Sequence, residues 1–207
     1  TKKNFDLRSY TIRAFNLEKK ELVLDLLLHG DSGPASKWAS SAQIGDSIEI
    51  AGPGPAILAA DAADWYLFVG DMTALPAIAV NLEKLSSESK GIALIEINSS
   101  EDKQDLKKPK GVEVKWIINS DPLTGCEELI KALSCVEIKG VNPFAWVAGE
   151  FELLRFARKL LKHDKTLPKD CLYLSCYWKI GEDDPGMKKA KAALILFDSI
   201  KNLFSFK

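Results

Sequence analysis

Three stretches of this 207-residue chain combine residue types that can hold a phosphorylated aromatic ligand. The first is Arg8-Ser-Tyr10-Thr11, followed some twenty residues later by Gly33-Pro-Ala35-Ser36 and Trp38 at the start of a short helical stretch. A guanidinium clamps a diphosphate bidentately, an aromatic ring stacks on a flavin, a hydroxyl meets a flavin's nitrogen edge, and a helix start adds N–H donors for phosphate. The plainer reading of the same residues is an edge strand with a solvated Arg8 and a packed Tyr10. The second stretch, Gly70-Asp71-Met-Thr73, leaves a strand and enters a helix, which is where open α/β sheets bind nucleotides. It lacks the G-x-G-x-x-G fingerprint, and a helix capped by Thr73 would explain it equally. The third, Phe144-Ala-Trp-Val-Ala-Gly149-Glu150, ends a strand on a glycine that permits close backbone approach, with Glu150 as helix cap or nicotinamide neighbour.

The elements that must position these residues follow from patterning. Arg8–Phe15 and Glu21–His29 are rich in β-formers around a polar link, which predicts an antiparallel hairpin, and His29 ends its second strand. Lys37–Ala42 predicts a helical turn, Ile44–Asp46 a turn, and Ser47–Ala51 a third strand, before Gly52-Pro-Gly-Pro55 breaks the chain. From about Ala63 strands alternate with helices: strands at 65–70, 91–98, 112–119, 144–149 and 171–178, helices at 73–87, 124–134 and 150–163. Strands separated by helical crossovers require a parallel sheet. The tail Met187–Phe206, with Leu196, Ile200 and Leu203 at helical spacing beside Phe197 and Phe204, predicts a helix packed on that sheet, or one that docks a partner or a membrane surface. Three strands before residue 55 cannot close a barrel, so an N-terminal segment of several strands is expected to be missing.

Composition excludes several function classes. Lys plus Arg (28) balances Asp plus Glu (29), leaving no basic field for a nucleic-acid backbone. Four cysteines without a C-x-x-C pair, and two histidines, His29 and His163, argue against zinc, iron–sulfur or histidine-rich metal centres. No apolar run reaches the ~20 residues of a membrane span and no leader is recognisable, so a cytoplasmic protein is expected.

Taken in order, Arg8-Ser-Tyr-Thr-Ile-Arg13, His29, Gly33-Pro-Ala-Ser-Lys-Trp-Ala39, Gly45-Asp46, Gly52-Pro53, Gly70-Asp-Met-Thr-Ala-Leu-Pro-Ala-Ile78, Trp146-Val-Ala-Gly-Glu150 and Tyr177-Trp178 resemble the siderophore-interacting proteins, ferric-siderophore reductases of the ferredoxin-reductase-like flavoproteins. The resemblance implies an FAD-binding antiparallel β-barrel over residues 1–60, here without its N-terminal strands, and an NAD(P)H-binding α/β domain with an open parallel sheet over 61–207. It implies that Tyr10 stacks on the isoalloxazine, Thr11 contacts its N5 edge and Arg8 meets the diphosphate. Ser36 and its neighbours Gly33, Ala35 and Trp38 would complete a phosphate cradle, with Asp71, Thr73, Gly149 and Glu150 on the nicotinamide side. His29 reads as a flavin contact or a packed polar residue. The family usually carries an acidic residue where Met72 stands, which bears on the nicotinamide contact.

On this reading FAD passes electrons to Fe(III) in a siderophore, a step that needs no catalytic side chain and no protein-bound metal. Many ferric siderophores are anionic, so Lys179 and then Arg13 are the candidate substrate cations; one pair at ~6 Å and an effective dielectric of ~20 is worth ~3 kcal/mol before screening. Lys179 could equally be an exposed residue leaving a strand, and Lys188, Lys189 and Lys191 read as a solvated helix face. Ser99-Ser-Glu-Asp-Lys103 offers both a carboxylate and a cation for the donor's ribose, favouring NADH over NADPH, with a ferredoxin-type protein as alternative donor. The rival readings are a ferredoxin or flavin reductase with another acceptor, and a non-catalytic siderophore binder.

Overall fold

The computed structural model describes residues 6–29 and 33–182. The expected tail helix at Met187–Phe206, with its lysines, lies outside the described residues. The chain divides into two compact units, 1–58 and 59–207.

In the first unit, β1 (Ile12–Asn16) and β2 (Glu21–Leu24) form the hairpin, with Phe15 opposite Leu22 and Asn16 opposite Glu21. The tight link uses Lys20 at φ 54°, and Asn16 Oδ1 accepts the Lys19 N–H at 3.1 Å. The ladder is shorter than the sequence predicts: Arg8, Tyr10 and Thr11 precede it, so strand alternation does not fix which way they face. Helix α1 (Pro34–Ser41) forms with Pro34 in its first turn, where a missing N–H costs nothing. The predicted turn is present, with the Gln43 N–H on Asp46 Oδ2 at 2.8 Å and Gly45 at φ 101°. The predicted strand Ser47–Ala51 is not formed, because β-formers become a strand only when a partner ladder satisfies their backbone. The described residues of this unit therefore hold a two-stranded ladder and one helix.

The second unit is a five-stranded sheet of parallel strands, β3 (Trp65–Gly70), β4 (Lys90–Ile97), β5 (Gly111–Ile118), β6 (Pro143–Glu150) and β7 (Leu172–Trp178), in the order β5-β4-β3-β6-β7. Helix α2 (Leu75–Lys84) covers one face with Ile78 and Leu82 against Phe68, Ile95 and Trp146. Helices α3 (Glu127–Ser134) and α4 (Phe151–Arg158) cover the other with Leu129, Leu133 and Leu153 against Leu67, Val69 and Val147. Helices on both faces explain why β3 is apolar at every position rather than alternating.

Helix limits differ from the sequence reading for local reasons. Helix α2 starts at Leu75, not Thr73, because Asp71 holds the preceding turn. Helix α3 starts after Gly125, which sits at φ 136°. The expected helix to His163 is α-helical only to Arg158 and then a π-helical turn, Lys159–Asp164, closed by the Lys165 N–H on the Leu160 carbonyl. The crossover from β4 to β5 carries no α-helix; a single 3₁₀ turn, Ser100–Asp102, and the buried Leu106 stand in its place.

Candidate functional site

In the first unit, the structure gathers His29, Gly33 and Ser36. The His29 N–H donates to Ser36 Oγ at 3.0 Å, and Ser36 is buried. That bond ties the segment after β2 to α1 and sets the imidazole beside Gly33: a Cβ on Gly33 would lie 2.9 Å from His29 Cε1. The amino end of α1 has no side-chain cap and no acidic residue in its first turn, so its N–H groups face no carboxylate of their own helix. Ala35 and Trp38 lie on this helix, both half-buried. Tyr10 is 42% exposed, Thr11 is half-buried, and the exposed Arg8 guanidinium donates to the Leu7 carbonyl at 2.9 Å.

In the second unit, the order of strands reverses between β3 and β6, which opens a crevice at their carboxyl ends. Asp71, 6% exposed, fills it. Its Oδ1 accepts the Thr73 N–H at 2.9 Å and the Thr73 hydroxyl at 2.5 Å; its Oδ2 accepts the Glu150 N–H at 2.9 Å and the Trp178 indole N–H at 2.8 Å. One carboxylate thus fastens the ends of β3, β6 and β7. Gly149 is needed for this approach: its φ is 144°, and a Cβ there would lie 2.5 Å from Asp71 Oδ2. Thr73 is not the helix cap, since α2 begins after Ala74 and the Thr73 side chain is turned to Asp71. Glu150 is the cap of α4: its carboxylate accepts the Glu152 N–H, and its other oxygen accepts the Ile180 N–H at 3.3 Å.

Sequence reasoning missed Glu96, the penultimate residue of β4, which is 3% exposed and has one carboxyl oxygen, Oε2, without a hydrogen-bond partner. Burial, with smaller contributions from Asp71, Glu127 and Glu150, pushes its carboxyl up to about 7, against a weaker opposing hydrogen bond from Asn119. The same surroundings push the buried Cys126 thiol up to about 12, and burial raises Glu150. The available signal was a lone charge inside the apolar run Ile92–Ile97. The role of Trp178 was also missed, although the Tyr177-Trp178 pair had been singled out.

The two candidate substrate cations are already engaged. Lys179 Nζ lies 3.3 Å from Glu182 Oε1 and 5.3 Å from the centre of the Phe151 ring. Arg13 Nε lies 3.9 Å from Asp25 Oδ2. Among the described residues no group of three or more His, Cys, Asp or Glu side chains is arranged to hold a metal ion, and no helix is long and apolar enough to cross a membrane.

Comparison with known proteins places two family models on these two units. The siderophore-interacting FAD-binding domain matches residues 2–57, and the siderophore-interacting protein model matches residues 63–181. Ferric vibriobactin reductase of Vibrio cholerae is 34% identical over 179 residues, covering 86% of this chain and 66% of its own length. The chain thus spans just under two thirds of that relative. The NADPH-dependent ferric-chelate reductase of Escherichia coli is 24% identical, over 77% of this chain and 61% of its own. The crystal structure of the siderophore-interacting protein SipS from Aeromonas hydrophila superposes with a TM-score of 0.81 at 33% identity, covering 91% of this chain and 74% of that one.

Proposed function

Because the chain belongs to the siderophore-interacting protein family, we propose that it acts as an FAD-dependent ferric-siderophore reductase, in which residues 1–60 hold the flavin as part of a β-barrel and residues 61–207 receive the electron donor. The observation that carries the proposal is the amino end of α1. Among the described residues it is the helix start within the FAD-binding match, its first turn carries no acidic residue, and Gly33 and the buried Ser36 shape it against His29. A diphosphate is favoured there by the helix dipole and by a first turn without a carboxylate of its own. Bound FAD supplies the conversion between a two-electron donor and a one-electron Fe(III) acceptor.

The chain's own residues bind and orient. Arg8 brings a permanent positive charge for the diphosphate, Tyr10 an accessible ring for stacking, and Thr11 a hydroxyl for the ring's nitrogen edge. His29 and Ser36 hold α1 in place, with Ala35 and Trp38 on the same helix. Asp71, Thr73, Gly149 and Glu150 line the side from which electrons arrive, supplied by NADH, NADPH or a ferredoxin-type protein. The name of the Escherichia coli relative supports a nucleotide donor. Lys179 and Arg13 would each have to exchange a present carboxylate partner for an anionic ferric siderophore, so their contribution is smaller than a free cation's.

Purified protein loaded with FAD and reduced anaerobically is expected to be reoxidised on addition of a ferric siderophore, with Fe(II) trapped by a chromogenic chelator. No acceleration by any ferric chelate would overturn the proposal. Tyr10→Ala is expected to lose flavin on gel filtration; flavin content equal to the parent's would remove Tyr10 from the stacking position.

A further inference from the structure

An open α/β sheet ordinarily meets a dinucleotide with its diphosphate on the helix starts that flank the switch point, because those N–H groups lack partners and the dipoles point the right way. Here the two helix starts are those of α2 and α4, and most of the N–H groups of both are already engaged. Before α2, the Thr73 N–H is bonded to the Asp71 carboxylate, and the Ala74 and Leu75 N–H groups are bonded to the Asp71 carbonyl at 3.0 and 3.1 Å. Pro76, next in line, has no N–H at all. Before α4, the Glu150 N–H is bonded to Asp71 and the Glu152 N–H to the Glu150 carboxylate.

The charge around these starts has the same sign. The charged side chains that act on Glu96 from the neighbouring strand ends and from α3 are Asp71, Glu127 and Glu150, all acidic, beside the Cys126 thiol and the neutral Asn119. Lys179 reaches the first residue of α4, Phe151, but its ammonium is shared between that ring and Glu182. Glu96 adds a buried carboxyl oxygen that no donor satisfies. Among the described residues, a phosphate placed in this crevice would meet few free donors and several carboxylates at short range, where Coulomb repulsion is least screened.

We infer that the carboxyl edge of this sheet does not bind a dinucleotide through its diphosphate: Asp71 and Glu150 stand as the protein's own anions at the two positions where such a site puts phosphate. The residues present do not fit that group. The edge suits a neutral, cationic or hydrogen-bond-donating part of whatever delivers electrons, and any phosphate of a nucleotide donor is held elsewhere. This rests on the proposed reductase reading and narrows its donor contact.

The test uses the full FAD-loaded chain labelled with ¹⁵N and titrated with inorganic pyrophosphate, then with ADP, at millimolar concentrations. The amides of Thr73, Ala74 and Glu152 and the Trp178 indole are expected to stay in place. Saturable shifts of these signals would overturn the inference. In Glu150→Gln, which keeps the shape and removes one charge, the same titration is expected to move the Glu152 amide, with pyrophosphate affinity at least tenfold above the parent's. A flat titration in that variant would overturn the assignment of Glu150 as an anion standing in a phosphate position. Flavin content and ferric-chelate reduction are measured on the same samples. Absence of either in the parent chain overturns the reductase reading and leaves the amide result standing, so the two failures are distinguishable.

Discussion

Glu96 carries a cost that pH exposes. Its carboxyl sits at about 7 in the folded chain against an ordinary 4.5, so the native state holds that proton more tightly than the unfolded one. Stability is therefore greatest below the ordinary value, falls as the pH rises from about 4.5 to about 7, and is fully reduced above that. The shift corresponds to at most about 3 kcal/mol, shared among coupled carboxylates. Glu96→Gln is expected to melt higher than the parent at pH 8 and to match it at pH 4; equal melting temperatures at pH 8 would show that the carboxyl is already relieved. Such a residue is nearly invisible in sequence. A charged letter in an apolar strand reads as an exposed alternation, and only the helices on both faces turn it into a buried one. Gly149 was legible as a close-approach glycine, but its neighbour turned out to be Asp71, because a residue 78 positions away meets it only once the parallel register of β3 and β6 is known.

At the level of elements, the strand–helix alternation after residue 63 was readable because each crossover has its own period and its own breakers. The short elements of the first unit were harder. A lone run such as Ser47–Ala51 has strand composition whether or not a ladder receives it, and the Arg8–Thr11 segment is carried by residues ahead of β1 rather than within it. Helix α1 gives a direct test of what its amino end is for. Gly33→Asp places a good N-cap at φ −129°, a backbone conformation open to aspartate, but its Cβ falls 2.9 Å from His29 Cε1, so the imidazole must turn aside and the gain from the cap is offset. The added carboxylate also faces the proposed diphosphate. Flavin affinity is expected to fall about tenfold, measured by fluorescence on FAD titration, whereas Gly33→Ala, which crowds His29 equally but adds no charge, is expected to lose less. Unchanged affinity would move the flavin phosphates away from α1.

For the molecule as a whole, the balance of charge and the absence of ligand-type cysteine spacing narrow the function from sequence alone, and the order of motifs along the chain points to the family. What composition could not give is the division of labour between the two units. Residues 41–58 are exposed throughout, whereas Ala59 is buried, its N–H held by the side chain of the buried Asn81 in α2 at 2.7 Å. Limited proteolysis is expected to cut between Ala51 and Leu58 first and to leave the five-stranded unit intact, with β3 and β6 the slowest to exchange their amide hydrogens. Early cleavage inside 65–178 would contradict that hierarchy.

The outermost strand β5 has consequences for how the protein behaves when crowded. Among the described residues no strand pairs with its outer rim, Glu113 and Lys115 stand exposed on one face there, and Lys108 Nζ donates to the Val112 carbonyl at 2.6 Å. A lysine lodged on that carbonyl and charges spaced along the rim deny a second chain the flat, dry template on which strands accrete. Strand-to-strand accretion through this edge should accordingly be resisted without help from any bound ligand.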